Sequence, residues 1–216
     1  MVAQGFGSTF ISQILGIPPS RLHYWDRTGV VKPSIRPARG RGSRRLYSYE
    51  DLIALEVVTQ LRESGLPLQR VRRAVRFLKR HYPELQHPLA ELTFLTDGKT
   101  IFVITPDETQ VLDVLKEHFV LSVPIGQIAR RIRRDIEEAT RPHIEKVRVA
   151  GRKFTVRIEL DPETDWYIAE CPDIPGCVTQ GKSLVEARRM IHDAIRECLA
   201  ALSEAEIGAE AEAVAR

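Results

Sequence analysis

Apolar residues recur at helical spacing twice near the start of the chain, over residues 8–15 and 20–28. Gly16 and Gly29 follow these two segments, and glycine commonly takes the left-handed conformation that ends a helix. Pro18 and Pro19 suit the first turn of the second helix, where a missing N–H forfeits no bond. Two short helices joined by a tight turn indicate a helix-turn-helix.

Residues 32–47 then lack an apolar pattern and contain prolines, glycines and no acidic residue. After them, helical spacing returns over 48–65, with Ser48 as the predicted N-cap, and again over 68–80. This order of helix-turn-helix, basic loop and two more helices predicts a winged helix-turn-helix.

The rest of the chain mixes strand and helix patterns. We predict a hairpin over 89–105, a basic amphipathic helix over 124–139, strands over 154–160, 166–170 and 177–180, and a long capped helix over 183–202. The predicted fold class is α+β and multidomain: a mainly helical winged helix-turn-helix, a small middle hairpin-plus-helix segment, and a three-stranded antiparallel sheet packed on a long helix.

Charge follows the same division. Residues 1–86 carry 15 lysines and arginines against 6 acidic residues, residues 87–144 carry 7 against 9, and residues 145–216 carry 10 against 14. Positive charge concentrated in one segment is typical of a polyanion binder. We therefore predict four parts: a DNA-binding domain (1–86), a middle segment (87–144), an α/β domain (145–202) and a flexible tail (203–216).

Two groups of side chains are candidate DNA contacts. In a helix-turn-helix the second helix enters the major groove, which points to Ser20, Arg21, His23 and Tyr24. The basic loop supplies Arg36, Arg39, Arg41, Arg44 and Arg45, whose charge needs water or a polyanion. The alternative for each side chain of the helix is an exposed face that is merely solvated.

These residues resemble the winged helix-turn-helix of MerR-type regulators over about residues 8–80. The likeness lies in the run RLHYWDRTGVVKP at 21–33 and in RLYS at 45–48, and it adds Tyr47 to the DNA-contact set. His23 stands where the family usually has arginine, and the loop is richer in arginine than usual. Pro83 and Pro88 interrupt the position where such regulators carry a long dimerisation helix.

The end of the chain resembles a different family. The run WYIAECPDIPGCVTQG at 166–181, followed by Ser183-Leu184 and Glu186-Ala187, is similar to the HicB-type antitoxin domain over about residues 147–202. This resemblance implies neutralisation of a partner toxin.

Two more specific kinds of site, a zinc site and a nuclease site, can be considered in that region. Cys171, Cys177 and Cys198, with His192, could be imagined as a zinc site, but their spacing and the position of Cys198 on an apolar stripe favour buried thiols. Asp161, Glu170 and Asp173 could be imagined as a nuclease site, yet the two aspartates lie in turns, where aspartate is common. We expect no catalytic residue, no metal and no cofactor.

The sequence thus predicts a cytoplasmic, sequence-specific DNA-binding transcription regulator that is not an enzyme, and an antitoxin that represses its own operon. The alternative is a plain regulator whose C-terminal domain serves oligomerisation or binds a small ligand. The expected partners are double-stranded DNA, further copies of the chain in a homodimer or higher oligomer formed through the C-terminal domain, and a protein toxin. No membrane is expected, because no apolar run is long enough to span one.

Overall fold

The computed structural model describes residues 5–38, 43–96, 101–104 and 121–214. Contacts between residues divide the chain into two compact units, the first ending at Glu137 and the second beginning at Glu138. None of the helices within these described ranges is long and apolar enough to cross a bilayer.

The first unit opens with a two-stranded sheet and four helices. In chain order they are β1 (Phe6–Gly7), α1 (Ser8–Leu15), α2 (Pro19–Thr28), β2 (Leu46–Tyr47), α3 (Tyr49–Glu63) and α4 (Leu68–His81). Strands β1 and β2 pair antiparallel. Gly16 and Gly29 end α1 and α2 with positive φ angles of 66° and 71°, so both predicted helix ends are confirmed.

Helix α3 is the centre of this unit. Its residues from Asp51 to Val58 are all buried, and Leu52, Leu55 and Leu61 have no exposed surface. Ser48 caps the helix as predicted, because its Oγ accepts a hydrogen bond of 3.2 Å from the Asp51 N–H. A helix buried on nearly every side can bind neighbours on several faces, and the remaining elements pack around it.

The middle segment belongs to the same compact unit. It contains α5 (Pro88–Glu91), β3 (Thr93–Thr96), β4 (Ile101–Ile104), β5 (Leu121–Val123) and α6 (Ile125–Ala139). The three strands form an antiparallel sheet in the order β4-β3-β5, so the predicted hairpin is confirmed, although its turn at 97–100 lies outside the described residues. Helix α5 and strand β5 both contact α3.

The second unit is a sheet covered by one helix. Its elements are β6 (His143–Val149), β7 (Arg152–Asp161), β8 (Trp166–Glu170), β9 (Val178–Gly181) and α7 (Leu184–Val214). The strands pair antiparallel in sequence order, and alternate residues of β7 from Phe154 to Leu160 face a core shared with Ala187 and Ile191 of α7.

The fold class is confirmed, with two differences in this unit. The sheet has four strands where three were predicted, because only Val149 of the seven residues of β6 is buried and its pattern is too polar to reveal a strand. Helix α7 continues past residue 202 to Val214. A side chain at Gly181 would place its Cβ 2.5 Å from the backbone nitrogen of Ala187, so the close approach of β9 to α7 requires glycine there.

Candidate nucleic-acid interface

Helix α2 has one buried face and one exposed face. Leu22 and Trp25 are 1% and 3% exposed and anchor the helix in the core. The four candidate contacts of this helix, Ser20, Arg21, His23 and Tyr24, are all exposed. The structure therefore brings these polar side chains together on a single solvent-facing surface near the start of α2.

Tyr24 and Arg21 border a cleft of about 400 Å³ between α2 and α3. The guanidinium of Arg27 lies over the Tyr24 ring, 5.9 Å from its centroid, which supports the exposed aromatic side chain. Arg62 of α3 lines the opposite side of the cleft. Sequence reasoning missed Arg62, because its position depends on how α2 and α3 pack. It also missed Arg27, although Arg27 lies three residues after Tyr24 on one helix, a spacing that could have indicated the contact.

The basic loop between α2 and α3, which we call the wing (residues 35–47), is closed at its base by backbone pairing. Arg36 and Leu46 exchange two hydrogen bonds of 3.1 and 2.9 Å, and the Arg36 Nε donates to the Arg44 carbonyl at 3.3 Å. Arg36 and Arg44 are exposed. Arg39 and Arg41 lie outside the described residues, so their predicted contacts with DNA stay predictions.

Arg45 has a partner that the sequence did not reveal. Its Nε lies 2.7 Å from the Asp26 carboxylate of α2, and the two side chains are only 21% and 17% exposed. This half-buried ion pair ties the base of the wing to α2. Arg45 thus has a positioning contact within the protein, and its own contact with DNA stays a prediction.

Tyr47 was predicted as a DNA contact, and the structure corrects this. The Tyr47 side chain has no exposed surface, so it cannot reach a phosphate or a base. Its hydroxyl has no hydrogen-bond partner within the described part of the chain, and burial, together with the nearby Asp26 carboxylate, raises the pKa of the phenol. The aromatic ring is a core residue that anchors β2 under the wing.

The Asp51 carboxylate holds both ends of the wing. Its Oδ2 accepts hydrogen bonds from the Ser34 N–H at 2.8 Å and the Ser34 hydroxyl at 2.7 Å, just before the wing. The same oxygen accepts from the Ser48 N–H at 2.9 Å, just after it. Asp51 is 3% exposed, and its Oδ1 lies 3.6 Å from the His87 Nδ1. One buried carboxylate therefore fixes the entry and the exit of the wing, which we call the Asp51 clamp.

Helix α4 adds further positive charge to this unit. Its apolar residues Val71, Val75 and Leu78 are buried. The exposed basic residues of α4 are Arg70, Arg73, Arg76, Lys79 and Arg80, and the helix contains no acidic residue. Like charges at three- and four-residue spacing repel one another, and a polyanion relieves that repulsion.

The cysteines considered for a zinc site, Cys171, Cys177 and Cys198, lie in the second unit. Cys171 and Cys177 are buried free thiols, and burial together with the neighbouring Cys198 raises the pKa of Cys177 to about 12. No group of three potential metal ligands occurs among the residues that the structure describes.

The three carboxylates considered for a nuclease site are engaged in local structure. Asp161 Oδ1 accepts from the Glu163 N–H at 3.0 Å, and Asp173 accepts from the Thr155 N–H at 2.5 Å. Glu170 pairs with Arg157 at 3.3 Å.

Comparison with known proteins identifies the first unit's helical part. Residues 9–78 match the family model described as MerR HTH family regulatory protein. An uncharacterized HTH-type transcriptional regulator of Mycobacterium tuberculosis is 39% identical over 112 residues, which are 52% of this chain and 48% of that protein. The chain therefore spans about half the length of this relative. Residues 9–78 are a MerR-family helix-turn-helix domain.

A second similarity concerns small proteins of a different kind. A UPF0150 protein of Thermoplasma acidophilum is 42% identical over 52 residues, 24% of this chain and 74% of that protein. Another, from Thermotoga maritima, is 45% identical over 42 residues, 19% of this chain and 56% of that protein. Neither match names a HicB-type domain, which stays a prediction.

Asp51→Asn should lower the free energy of unfolding of the first unit by about 2 kcal/mol. The substitution removes the negative charge that strengthens the hydrogen bonds from Ser34 and Ser48. It also replaces one carboxylate oxygen with an NH₂ group, which cannot accept a hydrogen bond from a donor. Thermal unfolding followed by Trp25 fluorescence, in a Trp166→Phe background, measures the effect. Glu50→Gln is the matched control, since it makes the same chemical change at an exposed position of the same helical turn. Equal losses in the two variants would show that the Asp51 clamp has no special role.

Proposed function

We propose that this protein is a sequence-specific DNA-binding transcription regulator of the cytoplasm that acts without catalysis. The observation that carries the proposal is the surface of α2, where Ser20, Arg21, His23 and Tyr24 are exposed together while Leu22 and Trp25 anchor the helix. The match of residues 9–78 to the MerR family supports it, because this family is described as regulatory. The M. tuberculosis relative is likewise named as a transcriptional regulator.

The side chains divide into roles by their geometry. Arg21 lies in the first turns of α2, the part of a recognition helix that meets base edges, and arginine recognises guanine through two hydrogen bonds. The wing arginines Arg36 and Arg44 are exposed and suited to phosphates, and we assign the same role to Arg39 and Arg41 from the sequence alone. Arg45 positions the wing through its ion pair with Asp26.

Arg21→Ala should weaken binding at a selected site by about 1–3 kcal/mol and weaken binding to random duplex much less. The site would be obtained by selection from a random duplex library, and the affinities measured by fluorescence anisotropy at fixed salt. Arg189→Ala removes the same charge from an exposed position of the second unit, outside the proposed interface, and should change binding to both duplexes by similar, small amounts. Equal losses on both duplexes for Arg21→Ala would assign this side chain to phosphate contact.

We further propose that the second unit makes the protein a homodimer or higher oligomer. A single helix-turn-helix reads one groove, and a second tethered module raises affinity through its high effective concentration. Helix α4 ends at His81 and Pro83 follows, so no long dimerisation helix continues from it. The sheet of the second unit offers two edges, with Ile144 of β6 70% exposed and Val178 of β9 57% exposed. Exposed apolar residues on unpaired edges favour pairing with another copy.

The double variant Ile144→Lys/Val178→Lys should shift the full chain toward monomer, because lysine on an edge strand opposes pairing. Light scattering over a range of protein concentrations measures the mass. Val185→Lys, on the surface of α7 and 75% exposed, is the control for added charge. If the edge variant and the wild type have the same mass, edge pairing is wrong; if Val185→Lys alone dissociates the protein, the helix is the pairing surface.

The finer proposal is that the second unit neutralises a partner toxin, so that the protein is an antitoxin repressing its own operon. It is supported by the similarity to UPF0150 proteins and by the HicB-like run at 166–187. The alternative is a plain regulator whose second unit only oligomerises or binds a small ligand.

Coexpression separates these two functions. If the antitoxin proposal is right, the product of a small neighbouring gene should arrest growth when expressed alone, and coexpression of the full chain should relieve the arrest. The Ser20→Ala/Arg21→Ala variant should relieve it equally, because the change lies in the DNA-binding unit. Neighbouring products that are harmless, or toxicity that the full chain leaves unchanged, would favour the plain regulator.

A further inference from the structure

A concave groove of about 520 Å³ lies between α3 and α6 of the first unit, away from the α2 surface described above. The side chains that line it include Gln60, Gln127, Arg130, Arg131 and Arg134, with Pro124 at its base. Three arginines and two glutamines thus line one groove, and none of its described lining residues is acidic.

The walls of the groove are held together by specific contacts. The Tyr49 hydroxyl of α3 donates a hydrogen bond to the Ala129 carbonyl of α6, and the Arg133 guanidinium lies 5.7 Å from the centroid of the same ring. Arg131 lies 2.5 Å from the Glu56 carboxylate, which is 7% exposed and also accepts from the Gln60 amide at 3.0 Å. Both helices are therefore fixed relative to each other, and the groove is preformed.

The three arginines of the groove differ in how strongly an acidic side chain neutralises them. The ion pair with Glu56 neutralises Arg131. Arg130 has no ion-pair partner among the described residues. Among the described residues, Arg134 pairs with its chain neighbour Asp135, at 3.2 Å and with the arginine side chain 72% exposed, so water screens this pair strongly. Two guanidinium groups remain able to bind an added anion.

We propose that this groove binds a small phosphate-bearing ligand. Guanidinium groups bind phosphate oxygens through paired hydrogen bonds, and the Gln60 and Gln127 amides supply further donors. The groove is open to solvent but concave, and its concave shape suits a small ligand better than the convex backbone of a duplex, which the exposed wing suits better.

The groove is also joined to the DNA-binding surface through α3. Gln60 lines the groove and Glu56 pairs with Arg131 of its lining, while Thr59, Arg62 and Glu63 of the same helix line the cleft that contains Arg21. A ligand that shifts Arg131 against Glu56 acts on the helix that forms one wall of the cleft beside Arg21. By linkage, ligand and DNA then change each other's affinity by the same factor. This regulatory consequence rests on the proposed function, whereas ligand binding does not.

Calorimetric titration of the full chain with inorganic pyrophosphate, without DNA and at constant ionic strength, tests the site. The wild type should show saturable binding, and Arg130→Gln/Arg134→Gln should weaken it at least about tenfold. Arg148→Gln/Arg189→Gln removes the same charge from exposed positions of the second unit and should leave the affinity within about twofold. Arg130→Lys/Arg134→Lys keeps the charge but not the paired hydrogen bonds, and should lie between wild type and the glutamine variant.

Equal affinity in the groove and control variants would overturn the proposal, as would the absence of saturable binding by the wild type. Thermal unfolding of each variant verifies that it is folded. If the glutamine variant does not fold, the affinity of the lysine variant tests the site instead.

A separate experiment measures the affinity for duplex DNA as a function of salt concentration. Suppose that pyrophosphate does not bind, but that Arg130→Gln/Arg134→Gln reduces the slope of log affinity against log salt concentration by about 2 units. The groove then contacts DNA phosphates, and the small-ligand proposal is wrong.

Discussion

The buried carboxylate of Asp51 is the contact on which the proposed DNA-binding surface depends. An ionised group taken out of water is stable only when its oxygens are satisfied, and here Ser34 and Ser48 supply the donors. Ser34 precedes the wing and Ser48 follows it, so the hydrogen bonds that stabilise the carboxylate also hold the two ends of the wing together. The capping bond from the Asp51 N–H to Ser48 starts α3 at the same point.

Further contacts position the rest of the proposed DNA-binding surface around the Asp51 clamp. Strand β2 leads out of the wing with Tyr47 in the core, and the Arg45–Asp26 pair fixes the wing base against α2. Helix α3 shares a cleft with α2 and contacts α6 through the Tyr49–Ala129 hydrogen bond and the Arg131–Glu56 ion pair. The wing arginines can repel one another without spreading the loop, because its two ends are held by a buried contact that salt screens little.

Much of this architecture could be predicted from the sequence. Helical spacing and the terminal glycines located α1 and α2, and the serine cap located α3, because these signals are local. The roles of Arg45 and Tyr47 could not be predicted, since a two-residue strand is too short for a period-two pattern to show which side chain points inward. Arg45 and Tyr47 also depend on Asp26 and the core, which only the packed structure brings together.

The same limit explains the other differences. Strand β6 is recognisable only through its pairing with β7, because its own residues are mostly exposed. Arg131 was part of a basic stretch in the sequence, and its partner Glu56 lies far away in the chain on a helix whose pattern looked purely structural. Buried polar pairs between distant elements leave no periodic signal, and such pairs define both the wing base and the α3–α6 groove.

In the proposed function, α2 and the wing together form the surface that meets DNA. Hydrogen–deuterium exchange of the full chain, with and without a duplex recovered by selection, tests it most directly. Exchange should slow on binding over 19–28 and 34–48, with little change over the strands β6 to β9. Protection confined to the second unit, or none in α2 and the wing, would contradict it.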